Sequence, residues 1–235
     1  MDRFSSLFGG LPYDAASVGY FRLLLYLLLL LLGDCAGGVP AARLLLKPQS
    51  FVLLRAGWQR WHWRVLSRCF ASVLALCLLL LPVGLLRVPT GETVRAWLLF
   101  TLHMEMLAAV QVLLIALYQN ALIATVSVSF VQLASLFLSS RLPGALPLLL
   151  PGNWGALART AEYGAGQTGF PLWTAVILNA VVLLSVSLFG WRLVRRKSCD
   201  KRRIWLSVSL SKHTVGAALT RKGEQPGIRN ECNLP

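Results

Sequence analysis

Apolar residues in this chain gather into five long blocks separated by shorter polar stretches. A helix that crosses the hydrocarbon core of a membrane needs about 20 mostly apolar residues. The pattern therefore predicts spans over about residues 15–33, 69–86, 96–118, 121–139 and 172–192. The first contains an unbroken apolar run from Leu27 to Leu32, with Arg22 in its outer third. Pro82 falls near the end of the second, where a proline is tolerated. Only Gln119 and Asn120 separate the third and fourth, which predicts an antiparallel hairpin. Trp173 and Trp191 flank the fifth, at the interfacial depth that suits tryptophan. The expected fold class is all-α, a polytopic integral membrane helix bundle.

Two intervening stretches carry patterns of their own. Over residues 50–68, Phe51, Leu54, Trp58, Trp61 and Val65 fall on one helical stripe, while Arg60, Arg64 and Arg68 step by four along another. This predicts a cytoplasmic amphipathic helix lying along the membrane surface, aromatic side down and cationic side toward anionic lipid or a docked protein. Residues 140–171 are interrupted by Pro143, Pro147, Pro151 and Pro171, each of which opposes a continuous helix. That segment reads as short external helices or a re-entrant cap at the outer ends of the spans. Residues 197–235 read as a loosely ordered basic tail at the membrane surface.

Composition agrees with a lipid environment. Charged residues make up 14% of the 235 positions, against roughly a quarter in an ordinary soluble domain. The net charge of +14 would suggest nucleic acid in a soluble protein, but its distribution indicates topology instead. Arg43, Lys47, Arg55, Arg60, Arg64 and Arg68 lie between the first two spans, and eleven more basic residues follow Gly190. Placing both groups in the cytoplasm satisfies the positive-inside rule, with the N-terminus outside and the C-terminus inside. No nucleic-acid partner is then needed to explain the charge. The five cysteines are odd in number and show no CxxC pair, so neither a disulfide framework nor a metal site is expected. No basic n-region precedes the first apolar block, as a secretory signal would require.

Polar residues inside the spans are the remaining candidates for function. Arg22, His103 and Glu105 stand out among them, and an unpaired carboxylate at the depth of Glu105 costs several kcal/mol. Arg22 and Glu105 both enter from the outer side, so that either the two pair between the first and third spans or Arg22 snorkels outward alone. Gln111, Gln132 and Asn179 are expected to bond between helices, while Ser127, Ser129, Ala134 and Ser135 would allow close approach on the fourth span.

Two stretches also carry a family resemblance. "SFVLLRAGWQRWHW" is similar to a pattern of Phe, aliphatics, Arg, any residue, Gly, basic residues and Trp in the membrane subunits of type 2 ATP-binding-cassette exporters of Firmicutes. "LPLLLPGNWGALAR" resembles a Leu-Pro-Gly-Asn-aromatic stretch that those permeases carry before their last span. The plan of the chain resembles the family from about residue 15 to 196, without a counterpart of the family's first span. The resemblance implies a permease subunit of an exporter in a bacterial inner membrane, paired with a second permease copy or a paralogue. It makes residues 50–68 a coupling helix, with Arg55, Gly57, Trp58, Arg60, Trp61 and Arg64 docking a separate cytoplasmic P-loop ATPase. It makes Pro151, Gly152, Asn153, Trp154 and Arg159 an external cap on the pathway. No Walker sequence occurs in the chain, so nucleotide hydrolysis is expected in the partner, with no catalytic residue or cofactor here.

A rival reading comes from His62 and Cys69, seven positions apart at the start of the second span. A thiolate beside an imidazole is a nucleophile with its base. The accessory-gene-regulator type of membrane peptidase has a His and a Cys at similar spacing, though its glycine pair and alanine around the histidine are replaced here by Arg60, Trp61 and Trp63. A noncatalytic membrane scaffold or immunity-type protein is a third reading.

Overall fold

The computed structural model describes residues 8–11, 20–45, 50–85, 90–142, 146–162, 169–190 and 192–193, with the side chains of residues 22, 45, 50–58, 90 and 140 outside that description. Five helices carry the fold: α1 (Tyr20–Leu45), α2 (Ser50–Leu85), α3 (Thr90–Tyr118), α4 (Ala121–Leu138) and α5 (Leu172–Gly190). Each contains a stretch long and apolar enough to cross a membrane. Large apolar side chains such as Leu24, Leu28, Leu79, Phe130, Ile177 and Leu184 point outward, an arrangement stable only against lipid or another apolar surface. The chain is an all-α, multi-pass membrane protein.

Without a hydrophobic force between helices in lipid, close packing and hydrogen bonds must hold them. α1 supplies the packing through Gly33, Gly37 and Ala41, one turn apart. Gly33 lies against Met104 and Gly37 against Ala108, so that a Cβ added at Gly37 would stand 2.9 Å from that of Ala108. α1 and α3 thus run parallel in close contact, with α2 antiparallel to both. Buried Tyr26, Leu30, Val73, Cys77, Phe100 and Met104 fill one part of the interior, and Ala41, Trp61, Val65, Leu66, Cys69 and Val112 another.

Two boundaries differ from the expectation. α1 does not stop at Gly33: it continues through Asp34, the glycines and Pro40 to Leu45. Glycines and an aspartate read as terminators in water, but here the glycines admit α3 and the aspartate is bonded to α4. The expected surface helix over 50–68 and the span that follows form one helix of 36 residues, about 54 Å long. No proline or glycine pair breaks it before Pro82. On the apolar stripe Trp61 and Val65 are buried against protein, while Arg60, Arg64 and Arg68 remain exposed along the other side. Phe51, Leu54 and Trp58 lie among the side chains not described.

The hairpin between α3 and α4 is closed by Gln119, a non-glycine residue at φ 56°. Its N–H bonds Ile115 O at 2.8 Å, ending α3, and Asn120 caps α4 by accepting from Ile123 N at 3.2 Å. At the opposite end of the bundle the chain after α4 forms four short 3-10 turns, Ser139–Arg141, Leu146–Leu149, Pro151–Asn153 and Leu157–Arg159. A bridge between Thr160 and Phe170 then leads back into α5.

Candidate functional site: the polar interior and the re-entrant segment

α4 directs a line of polar side chains into the bundle. Thr125, Ser129, Gln132, Ser135 and Ser139 recur at intervals of three or four, which places them on one face. Together they reach three other elements. Thr125 Oγ1 accepts from Gln111 Nε2 of α3 at 2.7 Å. Ser129 Oγ and Gln132 Nε2 both donate to the carboxylate of Asp34 on α1, at 2.6 and 2.9 Å. Ser135 donates to Val131 O of its own helix and lies against Gly152. Ser139 Oγ accepts from Arg159. One helix face thereby joins α1, α3 and the segment after α4.

That segment enters the bundle. Gly155 lies against the ring of His103, which is thirteen residues into α3 and so about 20 Å from its start. The next contact is with Asn179, seven residues into α5. Asn179 donates from Nδ2 to Trp154 O at 3.1 Å and to Ala175 O at 2.9 Å. Its Oδ1 is left to accept, and His103 Nδ1 sits 3.0 Å away, so the imidazole carries its proton on Nδ1. Non-helical backbone at such depth is tolerated only where protein or an aqueous cavity surrounds it. Residues 152–160 are all buried.

Arg159 holds the segment in shape. Its guanidinium is buried and donates from Nε to Leu11 O at 2.9 Å, from Nη2 to Leu136 O at 3.1 Å, and from Nη1 to Ser139 Oγ and Asn153 Oδ1. Asn153 in turn donates to Pro147 O at 2.6 Å, and Trp154 Nε1 to Leu148 O at 2.7 Å. One fixed fork of donors thus joins the N-terminal segment, the end of α4 and the 3-10 turns. Phe8 packs on Phe100 with ring centroids 5.6 Å apart, and Gly9 O accepts from Ala158 N at 2.8 Å, so residues 8–11 seal the same end.

The structure gathers Gly152, Asn153, Trp154 and Arg159 into one unit with Pro151, which opens a 3-10 turn. Gln111, Gln132 and Asn179 do bond between helices. Other expected residues are scattered. Arg60 and Arg64 are exposed on α2 and Trp61 is buried beside them, while the side chains of Arg55, Gly57 and Trp58 lie outside the described residues. Arg22's side chain lies outside them too, but the register of α1 on α3 sets its backbone level with about residue 93, roughly 18 Å of rise from Glu105. The expected Arg22–Glu105 pair falls on a side chain outside the described residues; one carboxylate oxygen of Glu105 is buried with no hydrogen-bond partner.

His62 and Cys69 form no dyad. α2 is unbroken between them, which separates them by about 10 Å of rise. His62 faces the backbone of α5 at Val186, Ser187 and Gly190, whereas Cys69 is buried in the apolar cluster with Trp61, Leu66 and Ala109.

Sequence reasoning missed Asp34, which it assigned to a loop, and missed that Arg159 is the hub rather than one member of a cap. The α4 periodicity of Thr125, Ser129 and Gln132 was the available signal for a polar partner on another helix. None of the protein-family models, curated proteins or solved structures compared with this chain matches it.

Proposed function

We propose that this protein is the permease subunit of an ATP-dependent exporter, forming a translocation path with a second permease copy or a paralogue. The carrying observation is the re-entrant segment: irregular backbone over residues 152–160, buried among α3, α4 and α5 and keyed to them by Asn179, His103 and Arg159. Irregular backbone at membrane depth is tolerated only where protein surrounds it or it lines an aqueous cavity, and a segment that caps a translocation path fits that condition. In this reading the segment caps the path from outside. The N-terminus is outside and the C-terminus cytoplasmic, in a bacterial inner membrane, because Arg43, Arg60 and Arg64 crowd the hairpin end of the bundle.

Coupling to the ATPase runs through the cytoplasmic end of α2. Because α2 is one continuous helix, a push on Arg55, Gly57, Trp58, Arg60, Trp61 and Arg64 moves the whole rod. The chain itself performs no covalent chemistry in this scheme.

Purification from native membranes in mild detergent, with mass-spectrometric identification of stoichiometric partners, tests the proposal. A copurifying P-loop ATPase is expected, lost in the Arg60→Glu/Arg64→Glu variant while membrane insertion persists. A chain that purifies without an ATPase overturns the exporter reading.

A further inference from the structure

Asp34 lies near the middle of α1's apolar stretch, Leu23–Leu44, and is 2% exposed. Both of its hydrogen bonds come from neutral donors, Ser129 and Gln132 of α4. Such donors lower the cost of burying an anion but cancel none of its charge, and an ionisable group at this depth marks an ion or proton site by default.

The charged and titratable groups on the surrounding elements point elsewhere. On α3, His103 is turned to Asn179, and Glu105, two residues on, projects from nearly the opposite face of the helix. On α1 itself, Tyr26 lies two turns nearer the re-entrant segment, beside Gly10, and the donors of Arg159 are directed to Leu11, Leu136, Ser139 and Asn153. α4 offers only Ser129 and Gln132 to the carboxylate.

Two unpartnered amide oxygens lie close by along the same helices. The Gln132 and Gln111 amide oxygens are both buried with no hydrogen-bond partner, on residues 2% and 1% exposed. Gln111 rests on Gly37 and Gly38, one turn from Asp34, and its amide meets Thr125, one turn from Ser129. A hydroxyl rotates and an amide flips, so the side chains that donate to a bare carboxylate can present oxygen to a cation in the same space. One carboxylate neutralises one positive charge. Among the described residues no group of three or more His, Cys, Asp or Glu could hold a multivalent metal, and an all-oxygen set with a single charge suits a hard monovalent ion.

We infer that Asp34, Ser129 and Gln132 form a binding site for one monovalent cation, a sodium ion or a proton, in the wall between α1 and α4. The site stands whether or not an ATPase partner exists. Occupancy removes the uncompensated charge and so stabilises the folded bundle.

The test uses the full-length chain in nanodiscs of zwitterionic lipid. Thermal unfolding is followed as sodium replaces N-methylglucamine at constant pH and ionic strength, and again over a range of pH without sodium. Asp34→Asn retains the shape: its Oδ1 accepts from one partner, and its Nδ2 donates to the other once the Ser129 hydroxyl rotates or the Gln132 amide flips. If sodium is the occupant, the wild type gains a saturable rise in Tm of several degrees that Asp34→Asn lacks, and Ser129→Ala shifts the sodium midpoint several-fold upward. If the proton is the occupant, sodium has no effect and Tm rises as pH falls, with that part of the rise lost in Asp34→Asn. Should Asp34→Asn fail to fold, the sodium midpoint of Ser129→Ala and the infrared carbonyl band of a protonated carboxyl in the wild type take its place. A wild type that shows neither response, or responses that Asp34→Asn reproduces in full, overturns the site.

Discussion

The ring of His103 and the backbone of Gly155 are in direct contact: a Cβ added at Gly155 would lie 2.4 Å from His103 Cδ2 and 2.6 Å from Cγ. The imidazole cannot swing aside, because Nδ1 is bonded to Asn179, whose own amide is fixed by two carbonyls. Gly155→Ala must therefore push the re-entrant segment away from α3. Overpacking of this kind costs about 1–3 kcal/mol. The expected result is a lower Tm in detergent for Gly155→Ala, partly recovered by adding His103→Ala, which makes room. Equal losses in the single and double variants would show that the contact is not what limits the site.

Asn179 joins three elements, so its replacement should separate their contributions. Asn179→Leu removes the acceptor of His103 and the donor to Trp154 O, with a cost of about 1–2 kcal/mol, the range for interhelical hydrogen bonds in lipid. Asn179→Asp keeps the acceptor but sets a carboxylate against the Trp154 and Ala175 carbonyls, and should cost more than the leucine. Denaturant or thermal unfolding of both variants checks the order.

These two sites also show what the sequence revealed and what it hid. The five apolar blocks and the tight turn at Gln119–Asn120 follow from local pattern, and the helices form accordingly. The polar residues inside the blocks were visible, and Gln111, Gln132 and Asn179 indeed bond between helices. Helix ends were harder. Asp34, Gly37, Gly38 and Pro40 would terminate a helix in water, and only the contacts with α3 and α4 carry α1 past them. Depth was harder still: Arg22 and Glu105 both looked like outer-half residues, but their levels depend on how Gly33 meets Met104, a register that no single helix encodes. Likewise the arginines of α2 announced an amphipathic face, while the partner of the apolar face, whether lipid or protein, depends on the neighbours of Trp61.

Arg159 should resist conservative replacement. Its planar fork reaches Leu11 O, Leu136 O, Ser139 and Asn153 at once, and a lysine ammonium cannot span them. Each buried acceptor left without a donor costs about 1–3 kcal/mol. Arg159→Lys is expected to be nearly as damaging as Arg159→Met. The measurement is limited proteolysis in native membranes, with both variants cleaved within residues 139–171 under conditions that leave the wild type intact. A lysine variant as resistant as the wild type would mean that charge, not the fork, holds the segment.

Cys69 and Cys77 provide a last check, one that also bears on the peptidase reading. A nucleophilic thiol must reach its substrate and a base, yet Cys69 is fully buried among Trp61, Leu66 and Ala109, and Cys77 is 1% exposed beside α3. Thiol reactivity follows thiolate character and exposure, and both are low for a thiol surrounded by apolar side chains. In chains retaining a single cysteine, those with Cys69 or Cys77 alone should remain unlabelled by membrane-permeant N-ethylmaleimide in native membranes and label fully after denaturation. The chain with Cys35 alone, whose residue is exposed on α1, marks how far reagent in the lipid reaches. Rapid native labelling of Cys69, slowed by His62→Ala, would require a break in α2 that brings the imidazole to the sulfur, and would return weight to a cysteine peptidase.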